Sequence, residues 1–194
     1  MRICVLDVET TFQTDDKGKT DPSPYNPDNY LVSVGLLFPD RLADTNYINY
    51  WCCKHNEQPA EKDFKLKVQY VIDNADLMVW HNGKFDRSWL LECGFTVPFA
   101  CWDTMIAEYV LSCGLKDSVS LKNSCIRRGV QQKKSDLVDD YLAKGVGFEA
   151  MPWPIVEEYG IGDLVSTAEL FWKQLELLGV TDVTKLIPDI VAND

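Results

Sequence analysis

A chain of 194 residues that is 46% hydrophobic and 25% charged can bury one sizeable core and is too apolar to be a disordered tail. Its 19 Lys+Arg against 30 Asp+Glu leave a net charge of −11, which argues against gripping nucleic acid through a broad basic face. That balance does not exclude a site where bound metal cations hold phosphates.

The first predicted element is Ile3 to Val8, a nearly continuous apolar run suited to a central strand covered on both faces. It is too short for a signal peptide's apolar region and runs straight into Asp7. Residues 13–29 are polar and rich in proline, and predict a long surface loop. Leu31–Phe38 and Thr45–Cys53 predict two more strands around the turn Pro39-Asp40, completing an antiparallel meander. Residues 60–74 carry Phe64, Val68 and Val71 at helical spacing. Leu77–Trp80 predicts a short strand, Phe85–Glu92 a helix, and Phe95–Trp102 the last strand. Asp103 stands at an N-cap position before an apolar helix closed by Gly114. Helices at about 119–128 and 136–144 end at Gly129 and Gly145. Pro152 and Pro154 open the longest periodic stretch, with an apolar stripe of Ile161, Leu164, Ala168, Phe171, Leu175 and Leu178 and a stop at Gly179. Thr181–Asp194 has the pattern of a further helix start. Strands followed by alternating helices and short strands predict an α/β fold with a mixed sheet.

Seven cysteines without a C-x-x-C pair predict a reduced, cytoplasmic setting in which most act as small core hydrophobes. Cys52-Cys53-Lys54-His55 has the makings of half a zinc site, and no second half is visible. No apolar stretch is long enough to span a membrane, so no membrane partner is expected.

The acidic residues carry the functional signal. Asp7 and Glu9, two apart at the end of a buried strand, project to one face, where two anions need a compensating cation or donors; the alternative is that both already belong to a loop and are solvated. Asp86 falls in the first turn of the helix after the short strand, where the helix dipole favours an acid without any function and Lys84 is available to neutralise it. Tyr159 and Asp163 are four apart on the long helix, about 40° from each other around its axis. Gly160 and Gly162 interrupt the same turn, either for close approach of a ligand or for tight helix–sheet packing. Asp103 is explained by capping and is left out of the site. Carboxylates on a strand end, a helix start and a late helix form the layout that holds two divalent cations, and hard oxygen ligands select Mg²⁺ or Mn²⁺.

Asp7-Val8-Glu9, Asn82-x-x-x-Asp86 and Tyr159-x-x-x-Asp163 resemble, in order, the three motifs of the tyrosine-bearing DEDD nucleases. The chain is most similar to the 3′–5′ proofreading exonuclease domain of family-A DNA polymerases of bacterial or bacteriophage type, over residues 1 to about 178. The resemblance implies a ribonuclease-H-like fold, a mixed five-stranded sheet flanked by helices, with residues 1–194 as a single exonuclease domain. It implies that Asp7 bridges both metals, that Glu9 and Asp163 complete the first, that Asp86 holds the second through water, and that Tyr159 orients the attacking water. It also implies Thr10, Phe12, Asn82 and Phe85 as substrate contacts. Gln13 stands where such nucleases often carry an aliphatic wedge, and Phe12 is the substitute offered here. Glu158 occupies the position where the sister branch carries a histidine, which excludes that branch.

The expected partners are the 3′ end of single-stranded DNA and a DNA polymerase domain or subunit. Arg127, Arg128, Lys133 and Lys134 form the one basic cluster, either a phosphate contact or a solvated helix end. Two other functions fit the scaffold: RNA trimming of the ribonuclease D kind, and a binding module that has lost catalysis.

Overall fold

A computed structural model describes residues 1–39, 47–98, 100–113, 115, 117–130 and 136–186. In chain order the elements are β1 (Ile3–Thr10), β2 (Gln13–Thr14), β3 (Thr20–Asp21), β4 (Leu31–Phe38), β5 (Tyr47–Cys52), α1 (Phe64–Asp73), β6 (Leu77–Trp80), α2 (Gly83–Glu92), β7 (Cys101–Asp103), α3 (Thr104–Leu111), α4 (Leu121–Arg128), α5 (Asp136–Ala143) and α6 (Trp153–Leu177). A short 3₁₀ turn follows at Val183–Leu186.

Five strands form one sheet in the order β5-β4-β1-β6-β7. β1 pairs antiparallel with β4, which pairs antiparallel with β5, and β1, β6 and β7 run parallel. The expected meander is therefore present, and β1 is central. Alternation along β1 divides the core. Cys4, Leu6 and Val8 pack with Val68 and Ile72 of α1 and Trp89 and Leu90 of α2. Ile3 and Val5 face α6, which contributes Leu164, Ala168, Phe171 and Leu175. The mixed sheet flanked by helices on both faces is the α/β, ribonuclease-H-like arrangement expected from the sequence.

Several boundaries differ from the sequence reading. The 13–29 loop contains a small antiparallel hairpin, β2 with β3. The last strand is only Cys101–Asp103: Gly94 turns the chain at a φ of 84°, and the described residues 95–98 form no ladder. Helix α1 begins at Phe64, after Asp63 in a left-handed conformation. The stripe on α6 leaves the core at its C-terminal end, where Leu178 is exposed. Gly114 and residues 187–194 lie outside the described residues. Four of the seven cysteines (Cys4, Cys52, Cys53 and Cys125) are buried. Among the described residues no helix is long and apolar enough to cross a membrane.

Arg127 and Arg128 are not a free basic patch. Both donate to Glu108, which is fully buried: Arg127 Nε at 2.9 Å and Arg128 Nε at 2.9 Å to Oε1. Gln174 Nε2 adds a bond to the other oxygen at 3.3 Å. This network joins α3, α4 and α6. It holds the Glu108 carboxyl below its usual range, the donors outweighing burial. Lys133 and Lys134 lie outside the described residues. His55 is likewise engaged, with Nε2 on Met151 O at 2.9 Å and Nδ1 accepting from the amides of Glu57 and Gln58, so it does not complete a zinc site.

The distance between α6 and the sheet is set by Tyr50. Its ring lies over Gly35 of β4, where an added Cβ would come within 2.9 Å of the ring and 2.8 Å of Leu164. Its hydroxyl meets Ser33 Oγ at 2.8 Å and donates to Val156 O at 3.3 Å. A Cβ on Gly160 would overlap the same hydroxyl and ring. Gly160 thus serves tight helix–sheet packing. Alanine in a helix is normally favoured over glycine by about 1 kcal/mol, but here the overlap decides the sign. Gly160→Ala is expected to destabilise by about 1–3 kcal/mol, measured as a lower urea midpoint; a midpoint at or above wild type would show that the Tyr50 ring yields freely.

Candidate active site

Asp7 and Glu9 continue the row begun by Ile3 and Val5, so they face α6 at the end of the central strand. Opposite them in β4 stand Gly35 and Ser33, both small. A bulge between Glu9 and Thr10 ends the regular pairing. Across from the pair, α6 presents Asp163 beside the buried Leu164. Asp7, Glu9 and Asp163 each offer a carboxylate oxygen, and the three oxygens lie within 4.8 Å of one another. Glu9 and Asp163 are each only 7% exposed. Three carboxylates so close repel one another strongly in a low dielectric. Hard oxygen donors in this number fit a Mg²⁺- or Mn²⁺-like ion.

Asp86 approaches from the opposite face of the sheet, in the first turn of α2. It is 3% exposed, and its Oδ1 accepts from the Val8 amide at 3.2 Å. Asp86 lines the same cavity as the other three acids but stands outside their tight group. Lys84 does not neutralise it; that side chain is exposed, and the Val8 and Asp86 amides are the donors. Burial pushes the Asp86 carboxyl up to about 8, with Asp103 and Asp163 adding to the rise and the two amides opposing it.

The cavity measures about 640 Å³. Thr10, Phe12, Asn82, Phe85 and Tyr159 all line it, so the geometry gathers every candidate residue at one place. Tyr159 is braced by Phe148, with ring centroids 5.6 Å apart. Asn82 adopts a left-handed conformation (φ 65°), which asparagine tolerates, to turn the chain from β6 into α2.

Three contributors were missed from sequence. Asp103 caps α3 as expected, accepting from Met105 and Ile106, but it also accepts from the amides of Asn82 at 3.2 Å and Gly83 at 2.9 Å. It therefore starts two helices, a long-range role that no local pattern records. His81 also lines the cavity. The Thr104 hydroxyl donates to Trp80 O, so His81 Nδ1 donates to Thr104 Oγ1, at 2.9 Å. Finally, the hairpin supplies Thr14, Gly18, Thr20 and Pro22 to the wall. Only the length of the polar 13–29 segment hinted at this.

The model for the 3′–5′ exonuclease family of DNA polymerase A type matches residues 49–177, well over half of the chain. The chain belongs to this 3′–5′ exonuclease family. The match begins after Asp7 and Glu9, so their membership of the site rests on the geometry above. Solved structures similar to the exonuclease include a nuclease in its apo form, with a TM-score of 0.59 and 18% identity over 92% of this chain and 75% of that one. Brucella melitensis NrnC with bound Mg²⁺ gives 0.52 and 20%, over 95% and 77%. The POL domain of Pol1 from M. smegmatis, solved with DNA primer-template and dNTP, gives 0.53 and 12% over 95% of this chain but 26% of that one. At these identities the likeness is one of fold. Among curated protein sequences none matches.

The raised Asp86 carboxyl gives a pH dependence. The folded form of this group keeps its proton between the ordinary value of 3.8 and about 8, where the unfolded chain has lost it. Its contribution to stability is therefore full below about 4 and is lost as the pH rises through about 8. In EDTA, the wild-type urea midpoint is expected to fall across that window. Asp86→Asn, which keeps an acceptor for the Val8 amide, is expected to flatten the fall. An equally steep decline in the variant would assign the effect to another group.

Proposed function

We propose that this exonuclease is a metal-dependent deoxyribonuclease. It removes nucleotides from the 3′ end of single-stranded or frayed DNA, releases 5′-mononucleotides, and proofreads for a family-A DNA polymerase present as a linked domain or a separate subunit. The observation that carries the reading is the convergence of Asp7, Glu9 and Asp163, with Asp86 and Tyr159, on one cavity. Asp7, Glu9 and Asp163, with Asp86 beside them, would hold two divalent ions of the Mg²⁺ or Mn²⁺ kind. Bound there, the ions make water nucleophilic at neutral pH and stabilise the departing oxygen.

The chain's own residues supply position. The Tyr159 hydroxyl orients the attacking water, and the Phe148 ring limits the tilt of its phenol. Phe12 and Phe85 offer faces on which terminal bases stack, while Thr10 and Asn82 supply polar contacts. Water adds to phosphorus and the P–O3′ bond breaks, leaving a 3′-hydroxyl on the shortened strand and the phosphate on the released nucleotide. A family-A polymerase is supported by the family match and by the fold shared with 26% of the Pol1 chain. A second reading, trimming of RNA or very short oligonucleotides, is favoured by the fold shared with NrnC, which has also been solved bound to pGG.

The test is degradation of 5′-labelled single-stranded DNA and RNA of equal sequence, with Mg²⁺ or Mn²⁺ and with EDTA. A stepwise ladder on DNA that requires the metal is expected. Tyr159→Phe is expected to lower kcat by about 10- to 100-fold, the worth of one hydrogen bond to a charged group. Asp163→Ala is expected to lose more. Activity that survives EDTA would overturn the metal mechanism, and a preference for RNA would decide for the second reading.

A further inference from the structure

The turn that carries the chain from β6 into α2 is fastened residue by residue. Two neighbouring side chains at the junction of β7 and α3, Asp103 and Thr104, hold Trp80, His81, Asn82 and Gly83 in succession. The Thr104 hydroxyl donates to Trp80 O at 2.9 Å and accepts from His81 Nδ1 at 2.9 Å. Asp103 Oδ1 accepts from the amide of Asn82 at 3.2 Å, and Oδ2 from that of Gly83 at 2.9 Å. The turn has no slack, since a Cβ on Gly83 would overlap the Trp80 indole.

Asn82 shows what the fastening is for. Asparagine at an N-cap ordinarily turns its side chain onto the first amides of its own helix. Asn82 makes no such bond and lines the cavity instead. It sits at a φ of 65°, a conformation that a non-glycine residue keeps where its surroundings impose it. Asp103 accepts from the first amide of α2 in its place, from 20 positions along the chain. Asp86 follows three residues after Gly83, in the first turn of α2. Its carboxylate is held at the tip by the Val8 amide at 3.2 Å and at the base by this turn. Asp103 itself does not line the cavity, so whatever it does there it does through the backbone.

We infer that Asp103 is a positioning residue for the proposed hydrolysis: through the amides of Asn82 and Gly83 it fixes the first turn of α2, and with it the Asp86 carboxylate at the divalent-ion site and the Asn82 side chain on the cavity. The inference rests on the reading of the cavity as a nuclease site.

The experiment separates the capping of α3 from the bridge to α2. Asp103→Ser keeps a good cap for α3, but its single oxygen serves Met105 and Ile106 and leaves the amides of Asn82 and Gly83 unmet. Asp103→Asn puts an amide nitrogen where Gly83 needs an acceptor, and so loses half of the bridge. Both variants remove the charge. Ser120→Ala, which removes the cap of α4, is the control for plain loss of a cap. Urea midpoints, kcat and KM on single-stranded DNA, and calorimetric Mn²⁺ binding without substrate are measured on the full chain. Asp103→Ser is expected to lower kcat and weaken Mn²⁺ binding by about tenfold, the low end of what removing the support of a metal ligand costs. Asp103→Asn is expected to lose less, and Ser120→Ala to lower the midpoint with kcat and Mn²⁺ binding unchanged. Equal losses in the two Asp103 variants would assign the effect to the missing charge, and matching losses in Ser120→Ala would assign it to instability. Either result overturns the inference, as does an Asp103→Ser protein with unaltered kcat and Mn²⁺ affinity. If Asp103→Ser shows no cooperative urea transition, Asp103→Glu, which keeps the charge and displaces the oxygens, is read in its place: the same tenfold loss is expected, and no loss overturns the inference. Wild-type protein that binds Mn²⁺ yet hydrolyses neither DNA nor RNA would overturn the proposed function and leave Asp103 to be judged on Mn²⁺ affinity. Wild-type protein that binds no Mn²⁺ would overturn both.

Discussion

Mutual repulsion among buried acids is the constraint around which this molecule is arranged. Three carboxylate oxygens within 4.8 Å, with a fourth carboxylate buried on the same cavity, are far from neutral in energy without a cation. A fold tolerates that cost only if the rest of the structure over-determines their positions. Asp7 and Glu9 are anchored by the central strand, which pairs with β4 from Val5 to Thr10 and with β6 from Ile3 to Val5. Asp163 is anchored by a 25-residue helix whose neighbouring turns are buried against that strand. Asp86 is held through the amide of Val8, between the two first acids in sequence.

The spacing between strand and helix is therefore a functional dimension as well as a packing one. Gly35, Tyr50 and Gly160 act together: two absent side chains make the slot, and one phenol fills it. The phenol is itself held protonated by burial and by the nearby charges of Glu9, Asp7 and Asp163. Its hydroxyl can then serve the Val156 carbonyl one turn before Tyr159 on α6. Packing and electrostatics meet in the same side chain.

Much of this arrangement was legible in the sequence because its signals are local. The apolar run of β1, the period of α6 and the glycines that close α4 and α5 each follow from short-range patterns, and the first and third acidic motifs lie on β1 and α6. Asp86 was placed correctly in the first turn of α2, although its neutralisation by Lys84 was not. What escaped was decided by partners distant in sequence. Arg127 and Arg128 look like a solvent-facing or phosphate-facing pair until α3 brings Glu108 beneath them. The hairpin at 13–21 has two-residue strands, too short for alternation to reveal. Gly160 admitted two explanations until Tyr50, 110 positions earlier, was seen against it.

The double duty of Asp103 has a corollary for how the molecule is joined. One carboxylate fastens the first amides of α2 and of α3, so the wall bearing Asn82 and Phe85 is bolted to the helix that carries Glu108 and, through it, to α4 and the far half of α6. The starts of α2 and α3 therefore share one anchoring point, so the Asn82 side of the cavity and the helix that carries Glu108 have a single side chain in common.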